Sequence, residues 1–68
     1  MGKLHDLAVN QSQSVWRRFA CAKAINDVRK KYNKGDANYI ELTKMLSEIV
    51  EKETNEQLKA VYAQMLGV

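Results

Sequence analysis

The chain has 68 residues, of which 46% are hydrophobic and 28% are charged, and it has no proline and a single cysteine, Cys21. A chain of this length forms one domain with a small core, so folds of this size usually depend on a disulfide, a metal or a second chain. One cysteine excludes an intramolecular disulfide, and no Cys and His residues have the spacing of a structural zinc site. We therefore expect residues 1–68 to form a single small domain that uses no cofactor and gains stability by self-association.

The net charge of +3 is distributed unevenly along the chain. Residues 1–35 contain eight Lys or Arg against two Asp, whereas residues 36–68 contain three Lys against six acidic residues. Such asymmetry is typical of a chain with a nucleic-acid or other acidic partner. It is equally consistent with two oppositely charged halves that attract each other within a dimer.

The composition also bears on where the protein acts. Secreted chains of this size are usually rich in disulfides, so a single cysteine without an apolar signal segment favours the cytoplasm. The apolar runs are only a few residues long, whereas about 20 residues are needed to cross a bilayer. Asp6 occupies the position at which an N-myristoylation signal has Ser or Thr. We expect a cytoplasmic protein without a membrane span or a lipid anchor.

The first predicted helix runs from Ser12 or Ser14 to about Asn33, and its apolar residues fall on several sides. Val15, Phe19 and Ala22 share one side, Cys21, Ile25, Val28 and Tyr32 share another, and Trp16 points in a third direction. A helix of this kind is either central to the fold or partly covered by a second copy. Residues 1–11 precede this helix. They are either a mobile segment or an ordered one, which extends the helix or forms a short turn of its own.

The next boundary is marked by Gly35, which can adopt the left-handed conformation of a helix cap, and by Asp36, which can accept from the free N–H groups of a following helix. The second predicted helix, residues 37–53, has its apolar residues at three-and-four spacing: Tyr39, Leu42, Met45, Leu46, Ile49 and Val50.

Residues 54–57, Thr-Asn-Glu-Gln, match a capping box with Thr54 as the cap. A third helix, about residues 55–66, then has Leu58, Val61, Tyr62 and Met65 as its apolar stripe.

These patterns predict an all-α fold. The short junction near Thr54 favours an αα-hairpin, with one bent continuous helix as the alternative. The expected architecture is a three-helix bundle in which the long first helix packs on this hairpin. Leftover apolar surface on the first helix is expected to join two copies into a homodimer.

Few residues are suited to catalysis. The only His is His5, which lies sixteen residues before the only Cys, and a nucleophile pair of the two requires the N-terminal segment to fold back. Cys21 lies between two alanines, as is typical of a small buried residue. There is no phosphate-binding glycine loop, metal-ligand spacing or facing pair of carboxylates. We expect no enzymatic activity and no small-molecule substrate.

Two groups of residues on the first predicted helix are candidates for partner binding. The basic group, which can neutralise phosphates of DNA or RNA, consists of Arg17, Arg18, Lys23, Arg29, Lys30, Lys31 and Lys34. These residues spread around the helix, and several lie at its C-terminal end, where cations also offset the partial negative charge of free carbonyls. The apolar group is Val15, Trp16 and Phe19, in which Trp16 is a typical protein-interface anchor unless the N-terminal segment folds over it.

We therefore expect a small non-enzymatic adaptor, inhibitor or regulatory protein that occupies a surface of another protein. Its expected partners are a second copy of itself and an unidentified protein. The alternative is a small DNA-binding or transcription-regulating protein that uses the basic first helix. A third hypothesis is attachment to an anionic membrane through the same cations and Trp16.

Overall fold

The computed structural model describes residues 2–67, which form four helices: α1 (Gly2–Val9), α2 (Val15–Arg29), α3 (Ala37–Lys52) and α4 (Glu56–Leu66). Residues 2–67 contain no strand, so the prediction of an all-α fold is confirmed. The predicted count of three helices is not confirmed, because residues 2–9 form a fourth helix, α1. α1 contacts both α2 and α3, and its Leu4 and Leu7 pack against the core.

Side-chain caps fix where α2 and α3 begin. The Ser14 hydroxyl accepts from the Arg17 N–H at 3.2 Å, which starts α2 at the second of the two predicted positions. The Asp36 carboxylate accepts from the Asn38 N–H at 2.7 Å, which confirms Asp36 as the cap of α3. In both cases a side-chain oxygen satisfies one of the N–H groups that the first helical turn leaves free.

The junction between α3 and α4 separates the two helices, and its cap differs from the predicted one. Asn55, rather than Thr54, caps α4, with its side chain accepting from the Leu58 N–H at 3.0 Å. The Thr54 hydroxyl instead donates to the side-chain carbonyl of Gln11 at 2.9 Å. The capping-box prediction was therefore wrong by one residue, because Thr54 has a tertiary partner that the local sequence does not show.

Two helix ends also differ from expectation. α2 ends at Arg29, four residues before Asn33, because the N–H groups of Lys31 and Tyr32 donate to carbonyls three residues back and tighten the chain into a turn. Gly35 is not left-handed, so the predicted cap at that position was wrong. Gly67, with φ of 82°, is the residue between 2 and 67 that takes this conformation, and it caps α4.

The core lies where α2 meets the other three helices. Its buried apolar residues are Ala8, Cys21, Ala22, Ile25, Leu42, Leu46, Ile49, Leu58 and Tyr62. The accessible surface is 4465 Å², against about 4,400 Å² for a compact monomer of this mass. The radius of gyration of 11.0 Å likewise matches the value of about 11 Å for a folded chain of this length. A single copy is therefore as compact as an ordinary folded monomer.

The four helices differ in length and hydropathy from segments that cross a bilayer. Among residues 2–67, none of them is both long enough and apolar enough to cross a membrane.

Candidate functional site

An open apolar recess lies between α2 and α4, and we call it the α2/α4 recess. Its lining residues are Val15, Trp16 and Phe19 from α2 and Gln57, Leu58 and Val61 from α4. Its volume is about 220 Å³, below the range of roughly 300–1,000 Å³ that is usual for small-molecule sites. Each helix contributes residues from little more than one turn, about 6 Å of its length. The recess therefore has room for about one bulky side chain.

Trp16 is the most exposed large apolar residue at this site, with 82% of its surface accessible. The helical rotation explains this exposure, because Trp16 lies about 200° around α2 from the buried Arg18. Phe19 packs partly against the core, and Val15 is 39% exposed. The structure thus places the three residues of the predicted protein interface together in one wall, and α1 does not fold over Trp16.

The opposite wall comes from α4 and was not predicted as part of a site. Val61 was assigned to the apolar stripe of the core, yet it is 39% exposed and lines the recess. The exposed residues on this side of α4 carry no charge: Gln57, Ala60, Val61 and Gln64. In a chain with 28% charged residues, this uncharged three-and-four pattern is the signal from which the second wall could have been found.

Arg18, which was assigned to the predicted basic surface, lies in the interior. Its guanidinium donates to both carboxylate oxygens of Glu53, at 3.0 and 2.9 Å. It also donates to the backbone carbonyls of Gln11 and Gln13. The Glu53 side chain is fully buried, and a buried carboxylate needs such a partner because its charge has left water. Arg18 therefore joins two loops of the fold, and its guanidinium is not available to a phosphate.

Arg29 is also interior and was likewise assigned to the basic surface. Its guanidinium donates to the side chains of Asn26, Tyr39 and Thr43 at 3.0–3.2 Å and to the backbone carbonyl of Met65 at 2.6 Å. It also lies 4.9 Å from the centroid of the Tyr39 ring, in a cation–π contact. Arg29 thus ties α2 to α3 and to the carbonyl end of α4, where a cation is favourable.

The other five residues of the basic group lie at the surface, and none of them lines the α2/α4 recess. The Lys23 ammonium pairs with the Asp27 carboxylate at 3.0 Å, one turn along α2. Lys30, Lys31 and Lys34 lie within five residues in the turn between α2 and α3. The basic surface is therefore concentrated at that turn, with Arg17 apart from it near the start of α2.

His5 and Cys21 are in different surroundings. The His5 ring nitrogens lie 3.3 Å from an Asp6 oxygen and 3.2 Å from a Glu48 oxygen, which links α1 to α3. Cys21 is buried in the core. A hydrogen bond from Lys52 lowers the pKa of the Glu48 carboxyl, and the nearby His5 lowers it further. Residues 2–67 contain no group of three or more His, Cys, Asp or Glu side chains arranged to hold a metal ion.

Comparison of the chain with protein-family models, with curated protein sequences and with solved structures gives no significant match. The surfaces of the molecule are therefore the indication of its function. Two of them differ in chemistry: the uncharged α2/α4 recess with Trp16, and the turn that carries Lys30, Lys31 and Lys34.

Proposed function

We propose that this chain is a small, non-enzymatic, cytoplasmic adaptor, inhibitor or regulatory protein that binds protein partners through the α2/α4 recess. The observation that carries the proposal is the 82% exposure of Trp16 beside an apolar recess. Tryptophan is enriched among the residues that dominate binding energy at interfaces. Burying its exposed surface of ~150–250 Å² would contribute roughly 4–6 kcal/mol before the entropic costs of association.

The six lining residues of the recess carry no charge, which supports a partner that is itself apolar at the contact. Gln57, Ala60 and Gln64 on α4 provide a polar but uncharged border to the apolar lining. Affinity at such a surface depends on apolar burial, so it should change little with salt, unlike phosphate binding. The cytoplasmic assignment rests on the single cysteine.

Photo-crosslinking from the edge of the recess tests this proposal. A photoreactive phenylalanine analogue replaces Gln57 in one variant and Ile40 in a matched control, because Ile40 is also exposed, at 47%, but lies outside the recess. We expect a discrete crosslinked species from position 57 in extract of the source cells, competed by excess unlabelled protein but not by the Trp16→Ala variant. Identical crosslinking patterns from both positions would contradict the proposal.

A second candidate function, nucleic-acid binding, is favoured by one observation. Lys30, Lys31 and Lys34 are exposed in a single turn, with Tyr32 exposed between them at 38%. None of the three lysines takes part in an ion pair with another residue in the range 2–67. Clustered cations with an accessible aromatic ring suit a phosphate backbone and an unstacked base.

A triple variant in which Lys30, Lys31 and Lys34 are each replaced by Glu tests the second candidate. These residues are exposed, so the change leaves the interior intact, whereas a change at the buried Arg29 would disturb it. Nucleic-acid binding should be abolished by the triple substitution and should weaken steeply with salt, with a slope of about −0.9 in log–log form for each phosphate neutralised on duplex DNA. Unchanged binding in the triple variant, or binding that is insensitive to salt, would exclude this turn as the site.

A further inference from the structure

The α2/α4 recess and Trp16 form a projection and a cavity on the same patch of surface. We propose that the recess is filled by Trp16 of a second copy of this chain, in a two-fold dimer in which each copy inserts its Trp16 into the recess of the other. The inference rests on the proposed function of the recess as a protein-binding surface and names the partner that fills it. Each recess is then completed by a residue that the other copy contributes.

Self-complementarity is the first argument for a second copy. A two-fold interface brings the same patch of both copies together, so a projecting residue and its cavity must lie on one patch. Trp16 meets this requirement because it borders the recess and exposes 82% of its surface. A volume of about 220 Å³ suits one bulky side chain and is smaller than most small-molecule sites.

The distribution of charge is the second argument. Two identical copies with net charge +3 repel each other unless their charges lie away from the contact. Lys30 lies about 21 Å along the chain of α2 from Trp16, more than twice the Debye length of about 8 Å at physiological ionic strength. Lys23 is neutralised by Asp27 at 3.0 Å. Arg17, the cation next to Trp16, lies about 160° around α2 from Phe19 and does not line the recess. The uncharged side of α4 therefore allows close approach of two copies.

A stable dimer on this patch must bury about as much area as a standard interface does. A standard interface buries about 800 Å² per partner, which would be nearly a fifth of the 4465 Å² surface of this protein. Trp16 supplies ~150–250 Å² of this, and the rest must come from Val15, Phe19, Val61 and the border of the recess. One copy already has the compactness of a folded monomer, so the proposed dimer is a reversible association of folded chains.

Sedimentation equilibrium from about 1 µM to 1 mM, the range of weak to moderate affinity, tests the proposal. The wild type should convert from monomer to dimer across this range. The Trp16→Ala variant should weaken dimerisation at least tenfold, whereas the matched control Ile40→Ala should dimerise as the wild type does. Trp16 is the only tryptophan, so its fluorescence should shift to shorter wavelength as the wild type dimerises. Circular dichroism verifies that each variant is folded.

A mixing experiment tests the reciprocal insertion itself. Val61→Glu places a carboxylate in the recess but leaves Trp16 in place, and Val61 is exposed enough to accept the change. Trp16→Ala has the opposite defect: it removes the inserted side chain and keeps the other five lining residues of the recess. Each variant alone should be monomeric at concentrations where the wild type is dimeric. An equimolar mixture should form a heterodimer with one of the two insertions restored, weaker than the wild-type dimer. Failure of the mixture to associate would overturn reciprocal insertion.

Two further results would overturn the proposal: a wild type that stays monomeric to about 1 mM, or a Trp16→Ala variant that dimerises with wild-type affinity. Crosslinking from position 57 separates this failure from failure of the proposed function. A crosslinked species of twice the 7.8 kDa chain mass supports the dimer. A crosslink only to a larger protein, from a chain that stays monomeric, refutes the dimer and leaves the recess as a binding surface.

Discussion

Arg18 and Glu53 are 35 residues apart in the sequence and form a buried bidentate ion pair with hydrogen bonds of 3.0 and 2.9 Å. The pair connects two loops, because Arg18 also donates to the carbonyls of Gln11 and Gln13, and Glu53 accepts from the Asn55 N–H at 3.0 Å. The segment between α1 and α2 is thereby fixed to the junction between α3 and α4. This arrangement fixes the start of α2 relative to the start of α4. The two walls of the α2/α4 recess are formed by residues near these helix starts.

Removing the Glu53 carboxylate while keeping Arg18 should severely destabilise the fold. In Glu53→Ala the Arg18 guanidinium stays buried without its counter-ion, at an expected cost of about 3–5 kcal/mol. That loss is comparable with the whole stability of roughly 3–10 kcal/mol for a domain of this size. Replacing both residues with Met should cost much less, because no charge is then left buried. Urea unfolding followed by circular dichroism measures both variants.

The exposed Lys23–Asp27 pair provides a matched control, since Lys23→Ala should change stability by only about 0.5 kcal/mol. A Glu53→Ala variant as stable as Lys23→Ala would contradict the structural role assigned to the buried pair.

Arg29→Lys should be destabilising although it conserves charge. A single ammonium cannot reach Asn26, Thr43 and the Met65 carbonyl as the guanidinium does, so buried acceptors lose their donors. We expect a loss of about 2–3 kcal/mol in the free energy of unfolding, measured by urea denaturation. Lys30→Ala, one residue along and exposed, should be nearly neutral. Equal stability of the two variants would be incompatible with the contacts described.

The positions of Arg18 and Arg29 show why the basic surface was overestimated from the sequence. Arg and Lys are assigned to solvent by default because they are rarely fully buried without partners. The partner of Arg18 is 35 residues away and a main partner of Arg29 is 36 residues away, so local periodicity carries no sign of either. The start of α3 was predictable because its cap, Asp36, is adjacent to the helix that it caps.

Tyr62→Phe should leave stability unchanged or raise it by up to ~1–3 kcal/mol, because the Tyr62 hydroxyl is buried without a hydrogen-bond partner among residues 2–67. Thermal unfolding of the two proteins at neutral pH measures the difference. A loss of stability in the Phe variant would show instead that the hydroxyl makes a favourable bond.

Tyr62 should also make the stability of the wild type and of Tyr62→Phe differ at alkaline pH. Burial raises the pKa of Tyr62, and the charge of Glu53 raises it further. A pKa that is higher in the folded state means that stability falls as pH rises above the unfolded value of about 10. The wild type should therefore lose stability above this pH more steeply than Tyr62→Phe. Parallel pH profiles of unfolding would refute this assignment.

Glu48 should make the stability of the wild type and of Glu48→Gln differ at acidic pH. Its pKa is lowered by the hydrogen bond from Lys52 and by His5, so its stabilising contribution is complete above its usual pKa of 4.5 and is lost as pH falls below that value. Glu48→Gln removes this titration, so its unfolding midpoint should fall less than that of the wild type between about pH 5 and 3. The same slope in both proteins would mean that Glu48 makes no such contribution.

The N-terminal helix and the recess show what the sequence could not reveal. An isolated helix of eight residues is marginal in water, so α1 depends on packing Leu4 and Leu7 against the core. The exposure of Trp16 was readable from its rotation around α2. The uncharged side of α4 was also readable, but its pairing with α2 was not, because nothing local indicates that Val61 of α4 and Phe19 of α2 line the same recess. Pairing of helices in space is decided by tertiary contacts that a single helical wheel does not contain.

In the proposed function, the α2/α4 recess and Trp16 are the surface through which this protein binds, first of all to a second copy of itself. A dilution series of two-dimensional ¹H–¹⁵N NMR spectra tests it most directly, because every backbone amide and the Trp16 indole N–H report separately. We predict concentration-dependent shifts that centre on Val15, Trp16, Phe19, Gln57 and Val61. Spectra that do not change with concentration, or shifts that centre on the turn at residues 30–34, would contradict binding through the recess.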